Sequence, residues 1–119
     1  MKRTVVIGAS LNPQRISHEA VIKLNRKGHE VIAIGLREGE IDGIKIQKGK
    51  PEIKNVDTVT LYLNAKRQEE MIDYILGLHP KRIIFNPGAE NPELMTKAAS
   101  QGIEVEEACT LTLLAIGLF

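Results

Sequence analysis

Gly8, Ala9 and Ser10, followed at short range by Arg15, Ile16 and Ser17, are the residues best suited to hold an anion. They stand between a β-branched run at residues 4–7 and a helical pattern that starts near Ser17. A strand that passes through small residues into a helix leaves backbone N–H groups facing outward. They sit at the positive end of the helix dipole. Arg15 adds a guanidinium that can grip a phosphate through two hydrogen bonds. The stretch is not a dinucleotide fingerprint, because Ser10 and Pro13 stand where the second and third glycines belong. It is not a P-loop either, since the Gly-Lys-Ser/Thr ending is missing. A tight turn without a ligand is the alternative reading of the same residues.

Three further stretches carry ligand-compatible chemistry, each with a plain structural alternative. After the second apolar run come Gly35 and Arg37, with no acid to take the ribose hydroxyls of NAD. Arg37 suits a ribose phosphate, or is an ordinary loop charge. After the middle run come Asn64, Lys66, Arg67 and Gln68, which suit adenine or phosphate, or a capped and solvated helix start. Asn86, Pro87 and Gly88 form a turn that lets backbone approach a ligand. Ser17 is expected to cap its helix, and His18 to be exposed or structural. Cys109 stands at the start of the last helical stretch, where a thiol pKa can be depressed. Its alternative is a small buried apolar residue. Three scattered His and one Cys make no metal-ligand spacing. No carboxylates form an acid–base pair.

The elements that must position these residues follow from apolar periodicity. Strands are expected at residues 4–7, 30–34, 56–63, 82–85 and 103–105, with a short half-exposed strand or edge around Ile44 and Ile46. Helices are expected at residues 17–27, 66–76, 91–101 and 108–118. Strands alternating with helices predict an α/β fold: a Rossmann-like, three-layer, open parallel sheet of about five strands with helices on both faces. Such sheets bind ligands beyond the carboxyl ends of their strands, where every candidate above is found.

The chain has 119 residues and reads as a single domain, 1–119. Its net charge of +1 gives no global field for nucleic acid or membrane. Two Tyr, two Phe and no Trp provide no stacking platform for single strands. No apolar run approaches the roughly 20 residues of a membrane span. A single cysteine fits a reducing, cytoplasmic setting. The apolar residues 111–119 either pack on the sheet or cover a homodimer interface.

Several separated blocks resemble one family. They are Val6-Ile7-Gly8-Ala9-Ser10, Pro13, residues 15–20, Gly28-His29-Glu30-Val31, Phe85-Asn86-Pro87-Gly88 with Glu90-Asn91, residues 102–105, and Ala108-Cys109-Thr110-Leu111. In this order they resemble the small stand-alone CoA-binding proteins, similar in turn to the CoA-binding domain of the succinyl-CoA synthetase alpha subunit. The resemblance implies a protein that binds CoA or an acyl-CoA and has no ligase activity of its own. Gly8, Ala9, Ser10, Arg15 and the helix start would take the phosphates. Gly35 and Arg37 would lie near the ribose phosphate, and Asn64 and Lys66 near adenine or its phosphates. Asn86, Pro87 and Gly88 would flank the pantetheine path, with Cys109 a possible contact for the CoA thiol. One block departs from the pattern: many relatives carry Asn-Pro after the second strand, where this chain has Gly35-Leu36. Two other readings of the same fold are a small NAD(P)-binding oxidoreductase and a homodimeric interaction module.

Overall fold

A computed structural model describes residues 1–119. Its centre is β1 (Arg3–Ala9), whose residues alternate between the two faces of a sheet covered on both sides. Val5 and Ile7 join one core with Val59, Leu61 and Ile83; Val6 joins the other with Ala33 and Ile84. Continuous β-branched character is what a strand buried on both faces requires.

Helix α1 (Ile16–Arg26) and strand β2 (Glu30–Gly35) complete a strand–helix–strand unit in which β1 and β2 pair in parallel. Ala20, Val21 and Leu24 face the sheet at helical spacing. Strands β3 (Gly39–Ile41) and β4 (Ile44–Gln47) then form an antiparallel hairpin, with β4 parallel to β2. The chain returns without a helix along the opposite face, where Ile53 and Val56 pack, and enters β5 (Thr58–Leu61) on the far side of β1. Strands β6 (Arg82–Phe85) and β7 (Glu104–Glu107) add outward in parallel. The order is β3-β4-β2-β1-β5-β6-β7.

The expected open parallel sheet is present, with seven strands where about five were expected. The difference arises mainly in residues 39–47. There the half-exposed strand expected at Ile44 and Ile46 is β4, while the glycine-rich, charged stretch before it hides β3; the hairpin buries Ile41 and Ile46. One expected helix, residues 66–76, is divided into α2 (Ala65–Gln68), a 3₁₀ turn (Glu69–Met71) and α3 (Ile72–Gly77). Gln68 is tied to the loops beside the sheet, while Ile72, Ile75 and Leu76 lie on its face; a tightened turn joins the two placements. Helix α4 (Pro92–Ser100) starts as its sequence indicates, with Asn91 accepting from the Leu94 N–H at 3.3 Å. Helix α5 (Thr110–Ala115) is shorter than expected, closed by a Leu118 N–H donating to the Leu113 carbonyl at 2.8 Å. Helices α1 and α5 cover one face, α3 and α4 the other.

The apolar end of the chain divides between core and surface. Leu113, Leu114 and Phe119 are buried in the α1 face, whereas Ile116 and Leu118 are exposed. Phe119 closes the amino-terminal end of the sheet. Its main-chain oxygen accepts from Lys2 Nζ and from buried Arg82, and its ring lies 4.6 Å from the Arg82 guanidinium. The His29 ring meets it edge-on at 5.0 Å. The Lys2 N–H donates to His29 Nδ1 at 3.2 Å, so that nitrogen carries no proton.

Buried polar groups join β5, β6 and α5. Asn86 Nδ2 donates to Thr60 Oγ1 at 2.7 Å and to the Leu61 carbonyl at 2.8 Å. Asn86 Oδ1 accepts from the Thr110 N–H at 2.8 Å, and the Thr60 and Thr110 hydroxyls share a 2.7 Å bond. Asn86→Ala strands the Leu61 carbonyl and the Thr110 N–H, a loss of about 3 kcal/mol, to be read from urea unfolding. Burial, then Lys2, lowers the His29 pKa below 6.5. The unfolded chain therefore binds the proton first, and stability falls as pH drops below about 6.5. His29→Gln, whose amide oxygen can still accept from Lys2, reduces that fall in thermal melts across pH 5 to 8.

Candidate functional site

The connection reverses direction at β1, running to β2 on one side and later to β5 on the other. Beyond the carboxyl ends of these strands lies a cleft of about 890 Å³. That is within the size of about 300–1,000 Å³ usual for small-molecule sites. The floor is the backbone of β1. Gly8 has φ +99, and its neighbourhood shifts the β1–β2 register between Ile7 and Ala9. A side chain at Gly8 would meet the Tyr62 backbone at 3.1 Å, and one at Gly35 would strike the Ala9 carbonyl oxygen at 2.3 Å. Both strands therefore reach the cleft as bare main chain.

The loop from Ser10 to Arg15 is held by its own polar groups. The Asn12 N–H donates to Ser10 Oγ at 3.1 Å, and the Gln14 N–H to Asn12 Oδ1 at 3.0 Å. His18 Nδ1 donates to the Ser10 carbonyl at 2.8 Å, which gives this histidine a structural task. Arg15 occupies the N-cap position of α1, with an extended backbone and no capping bond. Ser17 lies inside the helix and is buried, so the cap expected of it is absent. The N–H groups of Ile16 and Ser17 consequently have no partner in the protein. Free N–H groups and a helix dipole at the cleft wall are the elements of an anion site.

Of the residues singled out from sequence, Gly8, Ala9, Ser10, Arg15, Ile16, Ser17, Gly35, Arg37 and Pro87 line the cleft. A polar side pocket of about 320 Å³ continues from it past Arg15, and Asn64 and Gly88 line that extension. Asn64 also caps α2, accepting from the Arg67 N–H at 2.9 Å. Lys66 is exposed and lines neither space. Asn86 is buried in the hydrogen-bonded cluster described above and lines neither. Cys109 is half-buried at the start of α5 and also lies outside both. Burial pushes its thiol up, but hydrogen bonds from the Thr112 side chain and the Thr112 and Leu111 N–H groups leave the pKa lowered. Gln68, weighed from sequence as a ligand contact, is fully buried and bonded to protein.

The structure adds residues that sequence reading left out or ranked low. Arg67 lines both the cleft and its extension, as Arg15 does. Lys50, at the exit of the β3–β4 hairpin, joins Arg37 on the cleft wall. The cleft thus collects four cations, Arg15, Arg37, Lys50 and Arg67, against one acid, Glu70. A whole-chain charge of +1 gives no hint of this concentration. Leu11, Ile16 and Leu36 form exposed apolar parts of the lining, able to cover a flat ring. Tyr62 contributes to the lining, while its hydroxyl is buried beside Thr110 and Thr60 without a hydrogen bond of normal geometry. Burial pushes that phenol up to about 12, so it stays protonated at neutral pH.

Comparison with known proteins gives this fold a family. A crystal structure of an uncharacterized protein is 44% identical over 100% of this chain and 98% of its own, with a TM-score of 0.97. A hypothetical protein from Pyrococcus horikoshii OT3 shares the fold at 23% identity, with a TM-score of 0.84 over 98% of this chain and 83% of that one. The Thermus thermophilus protein cell-free ID.343 does so at 21% identity, with a TM-score of 0.84 over 99% and 91%. No curated protein matches the chain. The model of the CoA binding domain matches residues 2–115, almost the full length, and the blocks that it spans include every strand exit lining the cleft. The chain belongs to the CoA-binding domain family.

Proposed function

We propose that this protein binds CoA or an acyl-CoA in the cleft beyond β1, β2 and β5. The observation that carries the reading is the uncapped start of α1 beside Arg15, at the strand-order reversal of a CoA-binding domain. The diphosphate lies over Gly8, Ala9 and Ser10, accepting from the Ile16 and Ser17 N–H groups and from Arg15. Arg67 approaches the same anion from the other wall. Arg37 and Lys50 receive the ribose phosphate, and the exposed apolar surface of Leu11, Ile16 and Leu36 covers the adenine. Pantetheine leaves along Pro87 and Gly88.

The role is binding without ligase chemistry. The cleft and its extension are lined by no His and no Cys, and by a single carboxylate, Glu70. That set offers neither a nucleophile beside a base nor an acid–base pair. The end of β2 favours a phosphate over the free ribose hydroxyls of NAD, because Leu36-Arg37 stands where an acid would be needed.

Isothermal titration tests this. CoA is expected to bind, and Arg15→Gln and Arg67→Gln each to weaken it by about tenfold, about 1.4 kcal/mol. Affinity is expected to fall with added salt, since both arginines are exposed. No binding of CoA or an acyl-CoA at millimolar concentration overturns the proposal. Thermal stabilisation by NADPH alone, with none by CoA, turns it toward the oxidoreductase reading.

A further inference from the structure

The exits of β5 and β6 form the two sides of the polar extension, and one buried side chain joins them. Gln68 is fully buried. Its Nε2 donates to the Leu63 carbonyl at 2.7 Å and to the Ala89 carbonyl at 2.7 Å. Its Oε1 accepts from Asn91 Nδ2 at 2.9 Å, and Asn91 Oδ1 caps α4. Two carbonyl acceptors admit only the amide nitrogen, so the orientation of Gln68 is set by its partners. Leu63 lines the cleft and its extension, and Ala89 follows Gly88.

We infer that Gln68 is a positioning residue for the anion grip of this site. It touches no ligand and sets the place of Arg67 opposite Arg15 and of Pro87–Gly88 beside them. Helix α2 has four residues, too few to hold its own geometry. Arg67 precedes Gln68 in that turn, and Asn64 caps it by accepting from the Arg67 N–H. With Gln68 tied to two loops, Arg67 is ordered before a ligand arrives. Without the tie, that ordering is charged against affinity. The inference rests on the CoA reading of the cleft.

Gln68→Glu supplies the test, because its effect depends on pH in a way that a plain loss of packing does not. An ionised Glu at this place still accepts from Asn91 but faces two carbonyls with no proton to offer. A protonated one donates to either carbonyl. Burial raises the pKa of a carboxyl held here, so its protonated form gains as pH is lowered from about 8 to about 5.5. CoA affinity is measured by titration at both pH values for wild type, Gln68→Glu and Arg67→Gln, with circular dichroism on each sample. Relative to wild type at the same pH, Gln68→Glu is expected to bind about tenfold more weakly at the higher pH and to recover most of the loss at the lower. Arg67→Gln is expected to be weakened equally at both. Asn91→Asp keeps the α4 cap and sets a carboxylate oxygen against Gln68 Oε1 in place of the donor; it weakens binding in the same direction, and carries the test if Gln68→Glu does not fold. Wild-type affinity in a folded Gln68→Glu or Asn91→Asp, or a loss in Gln68→Glu that is the same at both pH values, overturns the inference and leaves the CoA reading standing. Failure of the wild type to bind CoA overturns both.

Discussion

The β1 backbone leaves the sheet through a gap too narrow for a side chain, and the site is built around that gap. On one side Gly8 lies against Tyr62 and Leu63; on the other Gly35 lies against the Ala9 carbonyl. The crowding exists because β1 is flanked in parallel by both β2 and β5, so three carboxyl ends converge. A Cβ at Gly35 would overlap a backbone oxygen, which no rotamer can relieve. The result is a floor made of main chain, close enough for a bulky anion to approach the N–H groups at the start of α1.

Beyond β1 the architecture depends on buried amides more than on surface charge. Asn86 ties β5 and β6 to the start of α5, and Gln68 with Asn91 ties the loops that leave the same two strands. Each of these side chains meets backbone groups that have no other partner in regular structure. Leaving one such group unpaired costs about 1–3 kcal/mol, whereas an exposed ion pair such as Lys97–Glu93 is screened by solvent and adds little. The amides therefore decide where Pro87, Gly88 and Arg67 stand. They also explain why two residues with plausible ligand chemistry, Asn86 and Gln68, are turned inward and satisfied by the protein.

Charge is distributed with equal economy. Near-neutral overall, the chain places four cations around one cleft and lines its β7 edge with Glu104, Glu106 and Glu107. Field at the cleft is local, which suits recognition of a small polyanion and gives little attraction for extended ones.

Much of this was legible along the chain, because it depends on neighbours in sequence. The β-branched run of β1, the small residues after it, the uncompensated helix start with Arg15 and the missing acid after Ile34 are local patterns with local causes. They determine the α/β class and give the first loop the chemistry that an anion site requires. The blocks from residue 6 to residue 111 point in the same direction toward CoA. What the tertiary structure alone decided concerns partners far apart. Alternation marked β4 at Ile44 and Ile46 but could not find β3, its three-residue partner, whose Ile41 gains its burial only in the folded chain. It could not separate Arg67 from Lys66, adjacent cations of which only one faces the cleft. Nor could it show Gln68 as a buried tie, because its acceptors are a loop five residues back and another 21 residues on. Local sequence determines which groups can bind an anion; the pairing of distant strands determines which of them meet.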